Sequence, residues 1–502
     1  MMTPTENACR NGQEYSKTTS KDHKKSKGQF FTPAKISNFM AGLSKLPLKR
    51  SIKICDPGCG PAILTCSLVE KLVEDGYKEI TADLFETDSD LFDLTIKNLE
   101  YLKNFCLERD VKLSFKLITT NFLIYVSDNL KEVTESYDLV ISNPPYFKLK
   151  KGDVNIHAVS YYLDGITNIY AGFIAASIRI CKISGECIFI VPRSFTSGLY
   201  FKTLRNFLFR ESRIKAVHLF DSRTKTFKED KVLQETVIFK TSNNEGTLTE
   251  ISVSNGLSDL DEAKSFKYQI TDLVDINSEN KILHLPKNDD DFQLIQKIKR
   301  LQFRLSDHNI KVSTGRVVAF RSKSFISKSE NVLSVPLIWG DNIKEQLLCW
   351  PLKSSKREQY ISSEAGNLLI PSANYVVQRR FSAKEDKKRL ICAPLLKSNF
   401  KFELIGLENK TNFFYKVNSR FTDEQVYGLS TLLNSSIYDS YFRMINGNIN
   451  VSATEMRLLP LPSLEVIERL GKRMIGRGLK VKEIDDLVDE IVFTENLILE
   501  VA

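Results

Sequence analysis

The sequence predicts a doubly wound α/β domain at residues 28–241, followed by a mixed α+β domain at residues 286–502. In the first region, apolar runs of strand length alternate with segments of helical periodicity. In the second region, short strand-like runs alternate with polar turns. A chain of 502 residues is also too long for one hydrophobic core. We therefore expect two domains, with residues 242–285 as the segment that connects them.

The first 27 residues are polar and rich in lysine, and they show no apolar periodicity. The sequence predicts a mobile basic arm here. Ordered structure is expected to begin at Gly28–Pro33, where Thr32 would be the N-cap and Pro33 the first residue of a helix that continues to Met40. The first backbone amides of such a helix would face a ligand pocket.

A glycine-rich turn follows the first predicted strand, Ile52–Cys55. Gly58 and Gly60 would let the backbone of this turn approach a ligand closely, and a helix begins directly after it. The second predicted strand, Ile80–Phe85, ends at Glu86, whose carboxylate can accept both ribose hydroxyls of an adenosine cofactor. Gly60 and Glu86 lie farther apart in sequence than is typical of nicotinamide-binding domains, which favours S-adenosylmethionine as the cofactor.

Two more predicted strands end in polar residues. The strand Lys112–Thr119 leads to Asn121 and Phe122, and a fourth strand, which begins at Asp138, leads to Asn143. Because the carboxyl ends of parallel strands form one edge of a sheet, these residues and the glycine turn are expected to converge on one site. The alternation continues with helices at 170–181 and 200–209 and strands at 186–191, 214–220 and 235–240.

The fourth strand delivers Asn143, Pro144, Pro145 and Tyr146. Prolines cannot continue a strand ladder or a helix, so the chain must leave the sheet here. The exocyclic amino group of a base is a poor nucleophile, because its lone pair is delocalised into the ring. If Asn143 Oδ1 and the Pro144 carbonyl each accept one amino proton, that lone pair can attack an electrophilic methyl group, with Tyr146 stacked on the base. The alternative interpretation is an ordinary proline-rich turn.

Cations recur beside aromatic residues in the C-terminal region, near Phe320, Trp350 and Phe381. Such residues can neutralise phosphates and reach base edges, so they predict a DNA-binding surface, although each cluster alone could be a solvated face. The cations are Arg316, Arg321, Lys353, Lys356, Arg357, Arg379, Arg380, Lys384, Lys387, Lys388 and Arg389. Two helices are also expected, one capped by Asn288 and an amphipathic one after Ser463.

Composition agrees with a nucleic-acid partner without requiring one. The chain has 71 Lys+Arg against 62 Asp+Glu, a net charge of +9. Its nine cysteines lack the spacing of a zinc site or of a disulfide framework, so no metal is predicted. No apolar run approaches the length of a membrane span or a signal sequence, and we expect a cytoplasmic protein with no membrane contact.

In this order, the motifs resemble those of the gamma-type N6-adenine DNA methyltransferases of restriction-modification systems, and most of all the PstI and BsuBI modification methylase group. The resemblance implies a Rossmann-like methyltransferase domain followed by a target recognition domain. The motifs are Gly28–Pro33, Asp56–Gly60, Glu86, Asn143–Tyr146, Val191–Phe195, Val232–Ile238 and Asn450–Pro462.

The resemblance also implies roles for single residues. Phe31, Thr32 and Pro33 would lie at S-adenosylmethionine, with Thr32 and Pro33 over its methionine part. Asp56 would hold the methionine amino group, Glu86 the ribose, and Phe122 would pack against the adenine. A flipped target adenine would lie between Tyr146 and Phe227. One position departs from the family: Asn121 stands where an Asp is usual, which predicts cofactor binding weaker by about 1 kcal/mol.

The resemblance implies double-stranded DNA as the partner and a palindromic target of the CTGCAG type. Two other classes stay open: a methyltransferase for RNA or a glutamine side chain, and a non-catalytic DNA-binding relative. A cytosine C5 enzyme is excluded, because the chain has no Pro-Cys dipeptide to supply a thiolate. No domain is left over for a nuclease, so cutting would need a separate restriction endonuclease. A monomer is expected, with a dimer as the alternative.

Overall fold

The computed structural model describes residues 2–165, 168–220, 236–244, 246–352, 356–382, 386–446, 450–477 and 481–494. The chain divides into two compact units, Met1–Lys287 and Asn288–Ala502. None of the described helices is both long enough and apolar enough to span a membrane.

The first unit is built on a sheet with nine described strands. The strands are β1 (Ser51–Pro57), β2 (Glu79–Phe85), β3 (Lys112–Ile118), β4 (Tyr137–Ser142), β5 (Cys181–Pro192), β6 (Arg213–Phe220), β7 (Thr236–Ser242), β8 (Leu248–Ser254) and β9 (Lys264–Gln269). The helices are α1 (Pro4–Thr18), α2 (Lys21–Lys27), α3 (Ala34–Gly42), α4 (Ile63–Glu74), α5 (Phe92–Leu107), α6 (Phe122–Asp128), α7 (Leu130–Val133), α8 (Asn155–Tyr162), α9 (Ile169–Ile180), α10 (Lys202–Glu211) and α11 (Ile270–Leu273).

The strand order is β3-β2-β1-β4-β5-β7-β6-β8-β9. The first five strands in this order run parallel to one another, whereas β7 runs antiparallel to both β5 and β6. This architecture confirms the predicted doubly wound α/β class. The chain winds outward from β1 through β2 to β3 and then returns to the other side of β1 as β4. Such a reversal opens a crevice at the carboxyl ends of β1 and β4, where ligands bind in open α/β sheets.

Burial explains why the central strands read as continuous apolar runs. Every residue of β4 is buried, and Leu139, Val140 and Ile141 have no exposed area. A strand that is covered on both faces cannot alternate apolar and polar residues. The helix α9 shows the same effect, because nearly all of its residues are buried.

The N-terminal segment differs from its prediction as a mobile arm. Residues 4–18 form α1, which begins with a capping box between Thr3 and Glu6. Polar groups contribute to its buried face: the Asn11 side chain donates to Asn98 Oδ1 over 2.7 Å, and the Thr5 backbone amide donates to Glu70 Oε1 over 2.8 Å. The prediction was wrong because it looked for an apolar stripe, whereas this helix is held by buried hydrogen bonds.

The segment 242–285, which was predicted as a connector, carries two strands of the same sheet. Strand β8 pairs with β6, and β9 pairs with β8 at the edge. Ile251 is fully buried in β8, but most residues of β9 are exposed. An edge strand with so few buried residues lacks the apolar pattern that would identify it in a sequence.

The second unit combines two small sheets with a group of helices. Its sheets have the orders β10-β20-β17-β18 and β11-β15-β12-β19-β16, beside a hairpin of β13 and β14. The strands are β10 (Ile310–Thr314), β11 (Ile326–Ser327), β12 (Ser334–Ile338), β13 (Ile343–Lys344), β14 (Leu347–Leu348), β15 (Tyr360–Ser362), β16 (Leu369–Pro371), β17 (Tyr375–Arg379), β18 (Cys392–Leu395), β19 (Leu404–Leu407) and β20 (Thr411–Lys416). The helices are α12 (Asp289–Lys299), α13 (Asp423–Asn434), α14 (Ser436–Ile445), α15 (Ala453–Met456), α16 (Leu464–Met474) and α17 (Val481–Val488).

The helices predicted in this unit are present. Asn288 caps α12 by accepting a hydrogen bond from the Asp291 amide over 2.8 Å. In α16, Val466, Ile467 and Leu470 are buried on one side, as the amphipathic pattern requires.

Candidate active site

A cavity of about 200 Å³ lies at the carboxyl ends of β1, β2 and β4. Its lining brings together nine of the residues that the sequence predicted for one site: Phe31, Thr32, Gly58, Gly60, Glu86, Asn121, Phe122, Asn143 and Pro145. It also includes residues that the sequence did not single out, among them Asn155 and Phe173. Asn155 and Phe173 lie on α8 and α9, outside the predicted motifs, so no local pattern marks them.

The glycine turn after β1 is closed by hydrogen bonds to the end of β2. The backbone amide of Gly58 donates to the Phe85 carbonyl over 2.9 Å, and that of Gly60 donates to Glu86 Oε2 over 3.0 Å. Gly60 has a φ of +54°, and a Cβ there would lie 3.3 Å from the Phe31 ring. The turn therefore needs glycine both for its backbone conformation and for the close approach of Phe31.

Both carboxylate oxygens of Glu86 accept hydrogen bonds from backbone amides, and Oε2 holds the glycine turn. Oε1 accepts hydrogen bonds from the backbone amides of Thr87 and Asp88 over 2.7 and 2.8 Å, in addition to the bond from Gly60. Burial raises the pKa of Glu86, and these hydrogen bonds oppose that rise. A carboxylate has about four lone-pair positions, so after three bonds it can still accept from a hydroxyl group.

Asp56, at the end of β1, keeps one buried oxygen atom unsatisfied. The side chain is 2% exposed. Its Oδ2 accepts a hydrogen bond from Thr65 Oγ1 over 2.7 Å, while Oδ1 has no hydrogen-bond partner among the described residues. Burial raises the pKa of Asp56 to about 7. A buried acceptor of this kind fits a donor that carries positive charge, because burying an unpaired carboxylate is costly.

Asn143 is held in a single orientation by the segment at residues 28–33. Its Nδ2 donates to the Phe30 carbonyl over 2.8 Å and to Thr32 Oγ1 over 3.0 Å. Both amide protons are therefore used, and Oδ1 points the other way. The prediction that Thr32 caps the following helix was wrong: α3 begins at Ala34, and Pro33 occupies the N-cap position without a side-chain bond. Thr32 instead positions the amide of Asn143.

The Tyr146 hydroxyl group lies between two acceptors, Asn143 Oδ1 at 2.5 Å and the Ile190 carbonyl at 2.8 Å. Burial raises the pKa of Tyr146 well above its usual value, so the hydroxyl is a neutral donor. Its ring is nearly parallel to that of Phe30, with centroids 6.4 Å apart, and perpendicular to that of Tyr170. Pro144, next to Asn143 in the chain, is buried.

Gly28 joins the same two segments by close packing. It has a φ of +65°, and a Cβ there would lie 2.9 Å from Pro145 Cβ. Any larger residue would separate residues 28–33 from the turn that carries Asn143. The predicted motifs at 28–33 and 143–146 are therefore in direct contact.

Asn121 and Phe122 line the cavity, but the amide of Asn121 is already occupied. Its Oδ1 accepts from the backbone amides of Leu123 and Ile124 over 3.0 and 3.3 Å and so caps α6. Its Nδ2 donates to Asn155 Oδ1 over 2.9 Å. Phe122 is 2% exposed, with its ring 5.1 Å from that of Phe85.

Asp88 anchors the N-terminal segment beside the cavity. Its buried carboxylate accepts hydrogen bonds from His23 Nε2 over 2.8 Å, from the Gln29 side chain and from the Tyr15 hydroxyl. Burial alone would raise the pKa of Asp88, but the hydrogen bonds of His23 and Gln29 prevail and lower it. Since Gln29 also lines the cavity, this network holds one wall of the site.

The cations predicted to bind DNA have different environments in the second unit. Three are engaged with backbone carbonyls: Arg316 with Asn367 and Leu369, Arg379 with Ile343, and Arg380 with Asn409. Arg321 is exposed, and its guanidinium lies 5.2 Å from the centre of the Phe320 ring, which is 69% exposed.

Part of the third cation cluster is internal. Lys388 and Arg389 are buried, and Lys388 Nζ lies 2.8 Å from Glu345 Oε2. Cations that are adjacent in sequence can thus be buried and paired inside a domain. Phe227, Lys353 and Lys384 lie outside the described residues.

Comparison with known proteins gives related sequences over nearly the whole chain. Residues 34–227 match the family described as Eco57I restriction-modification methylase. The chain is 32% identical over 481 residues to the Type II methyltransferase M.BsuBI of Bacillus subtilis, covering 93% of this chain and 94% of that protein. It is 30% identical over 470 residues to the Type II methyltransferase M.PstI of Providencia stuartii, covering 92% of each.

Among solved structures, the fold is similar to that of the Type IIL restriction-modification enzyme MmeI in complex with DNA. The TM-score is 0.61, and the match covers 98% of this chain and 79% of that one. At 11% sequence identity this similarity concerns the fold alone.

The Asp88 network generates a prediction about local stability. Replacing Asp88 by Ala removes the shared acceptor of three side chains, and hydrogen bonds to a buried charge contribute about 2 kcal/mol. We expect backbone hydrogen exchange at residues 15–29 to accelerate by about 30-fold, because that segment opens locally. The exposed Asp93 in the first turn of α5 provides the control, since Asp93→Ala also removes a carboxylate but leaves the bonds to Asp88 intact. Unchanged exchange in Asp88→Ala would show that the segment is held by other contacts.

Proposed function

Because the chain belongs to the type II DNA methyltransferases of restriction-modification systems, we propose that it transfers a methyl group from S-adenosylmethionine to N6 of adenine in double-stranded DNA. The orientation of Asn143 is the observation that carries this proposal. Both amide protons are donated to Phe30 and Thr32, so the Asn143 side chain can only accept a hydrogen bond from a substrate, through its oxygen.

An acceptor held in this way suits an exocyclic amino group. As the Asn143 oxygen and the Pro144 carbonyl take hydrogen bonds from the two amino protons, the nitrogen lone pair is withdrawn from the ring and becomes nucleophilic. The acceptors gain most where positive charge develops on the nitrogen, so they stabilise the transition state more than the bound base. In the proposed transfer, the methyl–sulfur bond would break as the new C–N bond forms, S-adenosylhomocysteine would leave, and one amino proton would pass from the nitrogen to water.

The Tyr146 hydroxyl sets the direction of the Asn143 oxygen. That oxygen has two lone pairs, so it can accept from Tyr146 and from a base amino group together. The hydroxyl can also turn to the Ile190 carbonyl, which leaves both lone pairs of Asn143 to the substrate. We assign the Tyr146 ring to one face of the flipped adenine. Phe227 on the other face stays a prediction from the resemblance.

The residues around the cavity fit S-adenosylmethionine, which supplies an electrophilic methyl group on a sulfonium centre. The unsatisfied Asp56 Oδ1 fits its cationic amino group. The remaining acceptor position of Glu86 fits a ribose hydroxyl, and Phe122 fits the adenine ring. Phe31 lies between the glycine turn and Tyr15, whose ring centroid is 6.1 Å away, and so closes the cavity on that side.

For the target, we propose a palindromic site of the CTGCAG type, by resemblance to the PstI and BsuBI group. The test incubates the purified chain with S-adenosylmethionine and unmethylated plasmid DNA and locates N6-methyladenine at single-base resolution. Methylation of one adenine per strand within one palindrome is expected. Methylated cytosine, or no product, would contradict the proposed reaction, whereas N6-methyladenine in another sequence would contradict only the proposed site.

The role of Asn143 predicts a change in rate rather than in binding. Asn143→Ala removes the positioned acceptor, and groups of this kind contribute about 10²–10³-fold in rate. We expect methyl transfer to fall by that factor, measured in single turnover, while DNA affinity stays within a few-fold. A variant that keeps full rate would exclude the proposed activation of the amino group.

The buried carboxyl group of Asp56 predicts a pH dependence of cofactor binding. Its pKa of about 7 means that the carboxylate form, which binds a cation, is depleted as the pH falls. The amino group of the ligand stays protonated over this range. From about pH 7 to about pH 5.5 the affinity for S-adenosylmethionine should weaken by about 15-fold in calorimetric titration, because the ionised fraction of Asp56 falls by that factor. The Asp56→Asn variant should bind S-adenosylmethionine weakly, and its affinity should not change with pH over this range. A wild-type affinity independent of pH would contradict the role.

Arg321 predicts the salt dependence of DNA binding. Arg321→Ala removes an exposed cation without disturbing a buried bond, so binding should weaken, and the slope of log affinity against log salt should fall by up to about 0.9. Arg109→Ala is a matched control, since Arg109 also lies over a phenylalanine ring, that of Phe105 in the first unit. Equal salt slopes in the two variants would show that Arg321 does not contact a phosphate.

A further inference from the structure

Three polar side chains form a chain of hydrogen bonds at one end of the cavity. Asp153 Oδ1 accepts from Asn155 Nδ2 over 2.9 Å, and Asn155 Oδ1 accepts from Asn121 Nδ2 over 2.9 Å. The Asn121 oxygen then accepts from the amides of Leu123 and Ile124. Asn155 is 8% exposed, and both asparagines line the cavity.

The direction of this chain is set by Asp153. A carboxylate accepts hydrogen bonds and donates none, so Asn155 must turn its NH2 group towards Asp153. The same Asp153 oxygen also accepts from the Asn155 backbone amide over 2.9 Å, which fixes the two residues relative to each other. The Asn155 oxygen therefore faces Asn121, and the Asn121 NH2 group donates to it.

Counting lone pairs distinguishes the two amide oxygens. An amide oxygen has two lone pairs. Both of those on Asn121 are used by the first turn of α6, whereas Asn155 Oδ1 receives one hydrogen bond from the described residues, that of Asn121. Of the two asparagine oxygens at this end of the cavity, that of Asn155 retains accepting capacity.

We propose that Asn155 recognises the exocyclic amino group of the cofactor adenine, that Asp153 orients Asn155 for this task, and that Asn121 serves as a helix cap. The inference rests on the proposed use of S-adenosylmethionine, and it adds a residue that determines which purine the cavity accepts. Phe122, next to Asn121 and lining the same cavity, supplies the apolar surface for the ring.

The test compares two ligands that differ in one group. S-Adenosylhomocysteine carries the 6-amino donor, and S-inosylhomocysteine carries a 6-oxo acceptor in its place. Calorimetric titration of the full chain should show that the adenosyl ligand binds at least tenfold more tightly, because an oxo group would face the Asn155 oxygen. In Asn155→Ala this preference should fall to within about twofold. A structural role alone would weaken both ligands equally and leave their ratio unchanged.

Two further variants separate Asn155 from its neighbours. Asn121→Ser keeps a side chain that caps helices and removes the donor to Asn155, so the tenfold preference should persist. Asp153→Asn keeps the size but allows the Asn155 amide to turn over, so the preference should shrink. If Asn155→Ala fails to fold, these two measurements still show whether Asn155 or Asn121 recognises the 6-amino group.

The outcomes are distinct. Loss of the preference in Asn121→Ser together with its retention in Asp153→Asn would assign recognition to Asn121 and overturn the inference, as would a full preference in folded Asn155→Ala. Equal binding of the two ligands by the wild type would overturn the inference and leave the proposed function standing. Failure of the wild type to bind S-adenosylhomocysteine at all would contradict the proposed cofactor itself.

Discussion

The amide nitrogen of Asn143 connects the two segments on which the whole site depends. Its hydrogen bonds to Phe30 and Thr32 attach the chain before α3 to the turn after β4, across more than a hundred residues of sequence. Rotation of this amide would break both bonds and turn NH2 towards a substrate. The same two bonds therefore close the cavity wall and make Asn143 a hydrogen-bond acceptor towards a substrate. The close contact of Gly28 with Pro145 reinforces the arrangement by packing alone.

Three carboxylates fix the orientation of polar groups around the cavity in the first unit, whereas Asp56 Oδ1 and Gln29 Oε1 are buried without a hydrogen-bond partner among the described residues. Glu86 holds the glycine turn, Asp88 holds the N-terminal segment, and Asp153 sets the direction of the asparagine chain. Each carboxylate can only accept, so it fixes the orientation of the groups around it. Preorganisation of this kind means that a ligand meets groups that need no rearrangement.

In the second unit, several cations of the basic clusters are buried or bonded within the protein and are not available to a partner. Lys388 and Arg389 stand in a basic run, yet they are buried, and Lys388 is paired with Glu345. Arg316 and Arg379 hold backbone carbonyls. Arg321 is exposed and stands beside the exposed ring of Phe320, so its guanidinium is open to a partner.

The amino-acid sequence by itself determined the fold class, the strand ends that form the site and the family, because buried parallel strands and the residues at their ends leave local patterns. Only the tertiary structure decided that α1 is ordered, that β8 and β9 belong to the sheet, that Thr32 positions Asn143 instead of capping a helix, and that Asn155 joins Asn121. These features rest on hydrogen bonds between residues distant in sequence. Such bonds follow no apolar period, and so no local stretch of the chain encodes them in a recognisable form.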